Sequence, residues 1–344
     1  MSEMKSFIEE TTEKMLKDLS TKELRERFEK GEWIKSLWDA IQESGLTLLG
    51  INEDQGGVGG DFEDIFAILR ITGKYAAPVP LAEVLYANHF LANQEGEVKD
   101  KLRVVQFEDG SGKELKSVPY ARYVEEVIVI SDAGYKVVNL SRTEIVHKEN
   151  LAAEPRDTVR MSFQTEIKSM DSSYEEVLED YTNYLALSRV AMMTGAMESV
   201  LALSIFYSKE RQQFGRALHK FQAIQHHLTA MAGETAAAYA TLAATSAAYK
   251  TEAAKEQIAM AKIEVSTNVN VVAKAAHQLH AGIGMTYEHE LHHFTRRLWA
   301  WREEGGNETY WSDQLAKIYV TRKESIWEWI TNVKGAQAHA GSTI

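Results

Sequence analysis

The second half of the chain constrains the fold most. After a polar linker at 169–176, helical periodicity continues nearly to the C-terminus. The spacing predicts helices over Val177–Tyr207, from Phe221 through an alanine-rich stretch to about Lys250, over Ala253–His280, over Tyr287–Trp301 and over Trp311–Val333. The first is rich in Ala, Met, Ser and Gly, which suits close packing. Ile258, Ala261, Val265 and Val272 give the third a buried side, and Leu291, Phe294, Leu298 and Trp301 form a stripe on the fourth. Four or five antiparallel helices of this kind make a bundle.

The first half divides in two. Residues 1 to about 95 read as helices, with Trp33, Leu37 and Ile41 on one apolar face and a second amphipathic run from Phe62 to Thr72. Between them lies Gly56-Gly57-Val58-Gly59-Gly60. It has no G-x-G-x-x-G spacing and follows no strand, so it reads as a connection between helices and not as a dinucleotide loop. From about 100 to 165 the period becomes two, with strands expected at Leu102–Phe107, Tyr123–Ile130, Tyr135–Leu140, Glu144–His147 and Thr158–Phe163. Turns are expected at 109–112 and 132–134. The expected fold is mostly α with a small β-domain: an N-terminal helical domain at 1–97, the β-domain at 98–168 and a C-terminal bundle at 169–344.

At 344 residues and 44% hydrophobic content, two or three domains can each bury a core. No uninterrupted apolar run approaches the roughly 20 residues of a membrane span, and the charged start, 1–20, shows no secretory signal. The chain has no cysteine, which removes disulfides and thiolate chemistry; a cytoplasmic location is the simplest expectation. A net charge of −12 argues against nucleic acid, which requires a basic footprint.

Chemistry concentrates in three places. In the first, Arg211-Gln212-Gln213-Phe214-Gly215 precedes a helix with Phe221, Ile224, Leu228, Met231 and Thr235 on one stripe and Gln222 on another face. Arg211 offers a planar fork of donors to a phosphate or carboxylate, with the flat face of Phe214 nearby. The same spacing also suits an Arg211 paired with a surface carboxylate and a Phe214 in the core. In the second, His277-Gln278-Leu279-His280-Ala281-Gly282-Ile283-Gly284 turns sharply at its glycines, and Thr286 can cap a helix whose first turn holds Glu288 and Glu290. His289 and His293 are spaced i, i+4, as zinc ligands on one helix face can be, but no third ligand follows from a motif. No metal is expected, and these histidines read as polar-face and capping residues. In the third, Glu303 and Glu304 precede Gly305, and in isolation read as a solvated helix end.

Arg-x-x-Phe-Gly followed by Phe-Gln-x-x-Gln-His closely resembles the flavin-binding segment of the acyl-CoA dehydrogenase family. The second stretch resembles that family's Gln-x-x-Gly-Gly-x-Gly motif, with Gln278 and Gly282 matching and Ala281 in place of the first glycine. Leu-x-x-Leu-Gly, the Gly-Gly-x-Gly loop and 77–83 are similar to its N-terminal domain, although Asn52 stands where proline is usual. The family's Thr-Glu-Pro…Gly-Ser-Asp stretch, which contacts the flavin ring and acyl-CoA, is missing, as is its Gly-x-Lys-x-x-Ile-Thr hairpin.

The resemblance implies a short, divergent acyl-CoA dehydrogenase that binds FAD between subunits. Arg211, Phe214, Gln222, Gln278 and Gly282 would lie at its adenosine-diphosphate end. The implied reaction is α,β-dehydrogenation of an acyl-CoA thioester, with an electron-transfer flavoprotein as acceptor. A carboxylate base would take the alpha proton, and Glu304 is the inherited candidate, at the cost of a one-residue gap counted from Gly284. The family's other base position falls on Ser188, which cannot serve. A homotetramer or heterotetramer is implied. The alternative is a non-catalytic subunit that completes a neighbour's flavin site.

Overall fold

The structure is a computed structural model that describes residues 3–108, 114–161 and 165–321, together with 325 and 327. Five helices come first: α1 (Glu3–Leu19), α2 (Lys22–Glu29), α3 (Lys35–Glu43), α4 (Phe62–Lys74) and α5 (Leu81–Glu95). Leu37, Trp38 and Ile41 bury the inner face of α3. At the start of α4, Asp61 and Asp64 each accept from the other's backbone N–H, a reciprocal cap that sets where the helix begins. The glycine loop before α4 carries only a 3-10 turn, so it connects helices as expected.

Six strands follow in two small sheets: β1 (Arg103–Phe107), β2 (Glu114–Pro119), β3 (Glu126–Ser131), β4 (Gly134–Asn139), β5 (Glu144–Val146) and β6 (Arg156–Arg160). In the order β1-β3-β4, β3 runs parallel to β1 and antiparallel to β4; the second sheet has the order β2-β6-β5. Val127, Ile128, Val129 and Ile130 are all buried, as a central strand covered on both faces requires. Asp132 and Ala133 make the β3–β4 turn, because Ser131 pairs directly with Gly134. The expected turn at 109–112 and the expected strand end at Phe163 lie outside the described residues.

Strand β2 departs from the sequence expectation. Its register shifts between Leu115 and Val118, and Ser117 has φ 56°. That irregularity breaks the period of two on which strand recognition depends. The strand expected from Tyr123 starts instead at Glu126, because Tyr120 (φ 52°) opens a turn closed by the Tyr123 N–H on the Tyr120 carbonyl.

Five further helices complete the chain: α6 (Tyr174–Glu210), α7 (Gln222–Ala248), α8 (Ala254–His280), α9 (Leu291–Glu303) and α10 (Glu308–Val320). Ser173 and Glu176 form a capping box that starts α6 in the polar linker. The last helix, expected to reach Val333, is described as far as Val320; residues 328–333 lie outside the description. Long and apolar, α6 meets the length and composition criteria of a membrane span, but 56% of the qualifying window is buried within the protein. It packs against α4, α7, α8 and α9, which makes it the core helix of the bundle. Its crossing with α4 depends on two glycines. A Cβ on Gly195 would stand 1.8 Å from the Arg70 carbonyl oxygen, and one on Gly73 would stand 2.0 Å from that of Met192. A mid-helix glycine costs about 1 kcal/mol relative to alanine, and here it allows two backbones to touch.

Candidate functional site

Glu304 is not a solvated helix end. It is the C-cap of α9, with extended backbone (φ −81°, ψ 143°), so its side chain leaves the helix direction and turns inward. Gly305 then takes φ +67° with no room for a side chain, since a Cβ would lie 2.9 Å from the Ala186 backbone nitrogen. This contact seats the Glu304 turn on α6, one helical turn from Arg189. Arg189 Nε donates to Glu304 at 2.8 Å, while Arg156 on β6 grips the carboxylate bidentately, Nε at 2.9 Å and Nη2 at 2.8 Å. Asn150 Nδ2 adds a fourth bond at 3.0 Å. Glu303 stays exposed and accepts only from Asn307.

The clamp belongs to a buried network. Arg189 Nη2 also donates to Glu83 on α5. Arg156 also meets Glu154, which accepts from Trp301 Nε1 at 3.1 Å and faces Arg297 at 3.4 Å. Glu83, Glu154 and Glu304 thus balance Arg156, Arg189 and Arg297. Beside them, fully buried Lys262 on α8 donates at 2.9 Å to the free Trp301 and Arg302 carbonyls at the end of α9.

Burial alone would raise the Glu304 carboxyl, but the positive charges of Arg156 and Arg189, with the hydrogen bonds from Arg156 and Asn150, hold it down at about 2. Lys262 goes the other way: burial and the nearby Arg189 charge lower its ammonium to about 7. A general base works best near the operating pH, where it binds a proton readily. Glu304 is held as a hydrogen-bonded anion well below that range. Neither the cleft lined by Arg25 and Phe294 nor that lined by Met260 and Leu315 borders it.

The two stretches that resemble flavin-binding motifs lie elsewhere, at the far end of α6. Arg211 caps α6, and the short strands β7 (Gln212–Gln213) and β8 (Arg216–Ala217) pair around Phe214 and Gly215. Both turn residues have positive φ, 51° and 78°, as a tight two-residue hairpin requires. An aromatic residue in this left-handed region carries a strain of about 1 kcal/mol or more. Phe214 is nevertheless 91% exposed, so it is not in the core. Arg216 lies 4.1 Å over the Phe221 ring, which braces the base of the hairpin. Arg211 is exposed and forms no ion pair among the described residues, so pairing with a surface carboxylate is also excluded for this structure. Along α7 the stripe from Phe221 deepens from half-buried Ile224 to buried Met231 and Thr235, leaving Gln222 on the solvent side.

The second motif adjoins the first. Tyr207, one turn before Arg211, stacks on His280 at 4.6 Å, which draws the end of α8 against the end of α6. Gln278 and Gly282 are exposed there, and a Cβ on Gly282 would meet nothing within 4 Å. Ala281 takes φ 54° and ψ −137°, a conformation suited to the glycine usual in that position.

Thr286 does not cap α9. Its hydroxyl donates to the Ile283 carbonyl at 3.0 Å, and the helix begins five residues later, at Leu291. The imidazole of His289 caps it instead, because the Leu291 N–H donates to His289 Nδ1 at 3.0 Å. Glu290, expected in the first turn, is drawn to Arg25. His289 thus lies ahead of the helix, which removes the i, i+4 pair with His293. His293 turns to Glu29 at 2.8 Å, and Glu29 also meets Arg296 and Arg297. Glu29, His292 and His293 come close enough to hold a metal, but the two arginines already neutralise the only carboxylate.

Sequence reasoning missed Arg156, Arg189, Asn150 and Glu83. One signal was available: Glu83 and Arg189 are lone opposite charges in otherwise apolar helical runs, and such charges are buried only when paired. Asn150 lies in irregular chain and Arg156 opens strand β6, and neither carries such a signature.

Residues 176–319 match the family model described as acyl-CoA dehydrogenase, C-terminal domain. The chain is 28% identical over 268 residues to acyl-CoA dehydrogenase IpdE2 of Mycobacterium tuberculosis, covering 76% of this chain and 80% of that protein. It superposes on a chain of the ChsE4-ChsE5 complex from Mycobacterium tuberculosis with a TM-score of 0.83, at 18% identity, over 94% of this chain and 99% of that one. Against glutaryl-coenzyme A dehydrogenase in its glutaryl-CoA complex the TM-score is 0.81, at 16% identity, over 93% and 96%. Residues 176–319 thus match the C-terminal domain of the acyl-CoA dehydrogenase family, and the chain as a whole is similar to members of that family in sequence and fold.

Proposed function

We propose that this chain is a subunit of an FAD-dependent acyl-CoA dehydrogenase that helps hold the flavin while a second chain type supplies the catalytic base. The observation that carries this reading is the Glu304 carboxylate, gripped by Arg156, Arg189 and Asn150 and held at about 2. A group so stabilised as an anion is a poor acceptor for an alpha proton. FAD, when bound, supplies the hydride acceptor for α,β-dehydrogenation of the acyl-CoA thioester.

Residues at the end of α6 fit the adenosine-diphosphate part of that cofactor. Arg211 presents an unpaired guanidinium suited to a pyrophosphate, Phe214 a bare aromatic face, and Gln222 and Gln278 exposed amides. Gly282 leaves room for close approach of a ligand to the backbone. All five lie on the surface, which suits a cofactor shared across a subunit boundary. The likeness to a chain of the ChsE4-ChsE5 complex supports a heterotetramer over a homotetramer; an electron-transfer flavoprotein is the acceptor that the family resemblance implies.

A second reading makes this chain the enzyme. It is favoured by the place of Glu304, directly before Gly305, with 19% of its side chain still exposed. Flavin content of the protein purified alone distinguishes the two. The shared-site reading predicts substoichiometric flavin that falls further in Arg211→Ala. A full complement of flavin, reduced by acyl-CoA with no second chain present, would establish the alternative.

A further inference from the structure

Apart from the Glu304 clamp, and about one helical turn along α6 from the Arg211 hairpin, an open cleft of about 530 Å³ lies where α1, α2, α4, α6 and α9 meet. One wall is apolar, formed by Leu203 and Phe206 of α6 and Phe294 of α9. Phe206 is 67% exposed. The facing wall carries Lys17, Lys22, Arg25 and Lys74, against one lining carboxylate, Glu290. Four cations gather here in a chain whose net charge is −12.

These cations differ in availability. Arg25 is 3% exposed, and its two terminal nitrogens donate to the Ser20 and Tyr75 carbonyls and to Glu290, so it forms a fixed floor. Lys22 reaches Glu26 at 3.3 Å in a pair more than one-third exposed and donates to the Glu288 carbonyl at 2.8 Å, while half-buried Lys74 meets Glu13 and, at 4.0 Å, Glu198. An exposed pair such as Lys22–Glu26 contributes little and exchanges readily for another anion. Lys17 has no ion pair among the described residues. Lys22 also opens α2, whose N-cap Thr21 lines the same cleft, so the positive end of that helix adds to the field.

A ligand suited to both walls has an anionic head and an apolar body, and the volume lies within the range of small-molecule sites, roughly 300–1,000 Å³. We propose that this cleft binds an amphipathic anion, a carboxylate or phosphate on a hydrocarbon body.

Isothermal titration of the full chain with dodecanoate, dodecyl phosphate, dodecanol and inorganic phosphate, each below its aggregation limit, tests this. The expected result is saturable binding of one or both amphipathic anions that weakens with added salt, with dodecanol and inorganic phosphate each at least tenfold weaker. Whichever anion binds more tightly identifies the headgroup. Lys17→Glu combined with Lys22→Glu, and separately Phe206→Ser, should each weaken binding about tenfold or more while circular dichroism is unchanged. No saturable binding of either anion, equal binding of dodecanol, or wild-type affinity in the folded variants would overturn the proposal.

Discussion

Replacing Glu304 with glutamine tests the clamp through stability as well as through activity. Removing one member of a buried ion pair typically costs 3–5 kcal/mol, because the partner charge is left uncompensated. Glu304 keeps 19% exposure, and glutamine retains one acceptor oxygen for Arg156, so about 2–3 kcal/mol is expected. The acidity of the group gives a similar scale: a fall from 4.5 to about 2 corresponds to roughly 3 kcal/mol. The folded value lies below the unfolded one, so this stabilisation is complete above pH 4.5 and fades as the pH falls toward 2. Urea titrations of wild type and Glu304→Gln should therefore differ widely at pH 7, and the gap should narrow below pH 4.5. A desolvated catalytic base behaves in the opposite way, since its removal relieves strain built into an active site. A Glu304→Gln variant as stable as wild type, or more stable, at pH 7 would refute the clamp.

Ala281→Gly should stabilise the protein by about 1 kcal/mol, read as a rise in the urea midpoint, because glycine relieves the positive φ of 54°. Arg211→Ala should change stability by less than about 0.5 kcal/mol, since the side chain is exposed and unpaired. It should nonetheless weaken FAD affinity by about 1.5–3 kcal/mol, measured by flavin retention on dialysis. Lys262, lowered from 10.5 to about 7, favours the unfolded state wherever that state binds the extra proton, so stability should rise with pH from 7 to 10.5. Urea midpoints across this window should flatten in Lys262→Met.

The helical architecture was legible because its signals are local. Periodic apolar residues marked nearly every long helix, and the capping pairs at Asp61–Asp64 and Ser173–Glu176 fix two of their starts. The limits of legibility have physical causes. Strand β2 carries a bulge that breaks its alternation, and α9 starts late because a histidine ring and the pull of sequence-distant Arg25 on Glu290 replace the threonine cap. The hairpin motif was legible in its words, but the 91% exposure of Phe214 is a tertiary fact that spacing alone left open. The clamp was the least legible feature. Its members lie at 83, 150, 156, 189 and 304, and only folding brings their charges together.

Stopped-flow reduction of the flavin by an acyl-CoA panel, in the flavin-loaded assembly carrying either wild-type or Glu304→Gln chain, tests the central claim most directly. With the base on a second chain, the variant should reduce its flavin at the wild-type rate under conditions where circular dichroism shows it folded. A loss of roughly 10²–10⁴-fold on that one substitution, with flavin still bound, would mean that Glu304 takes the proton itself and would contradict the account.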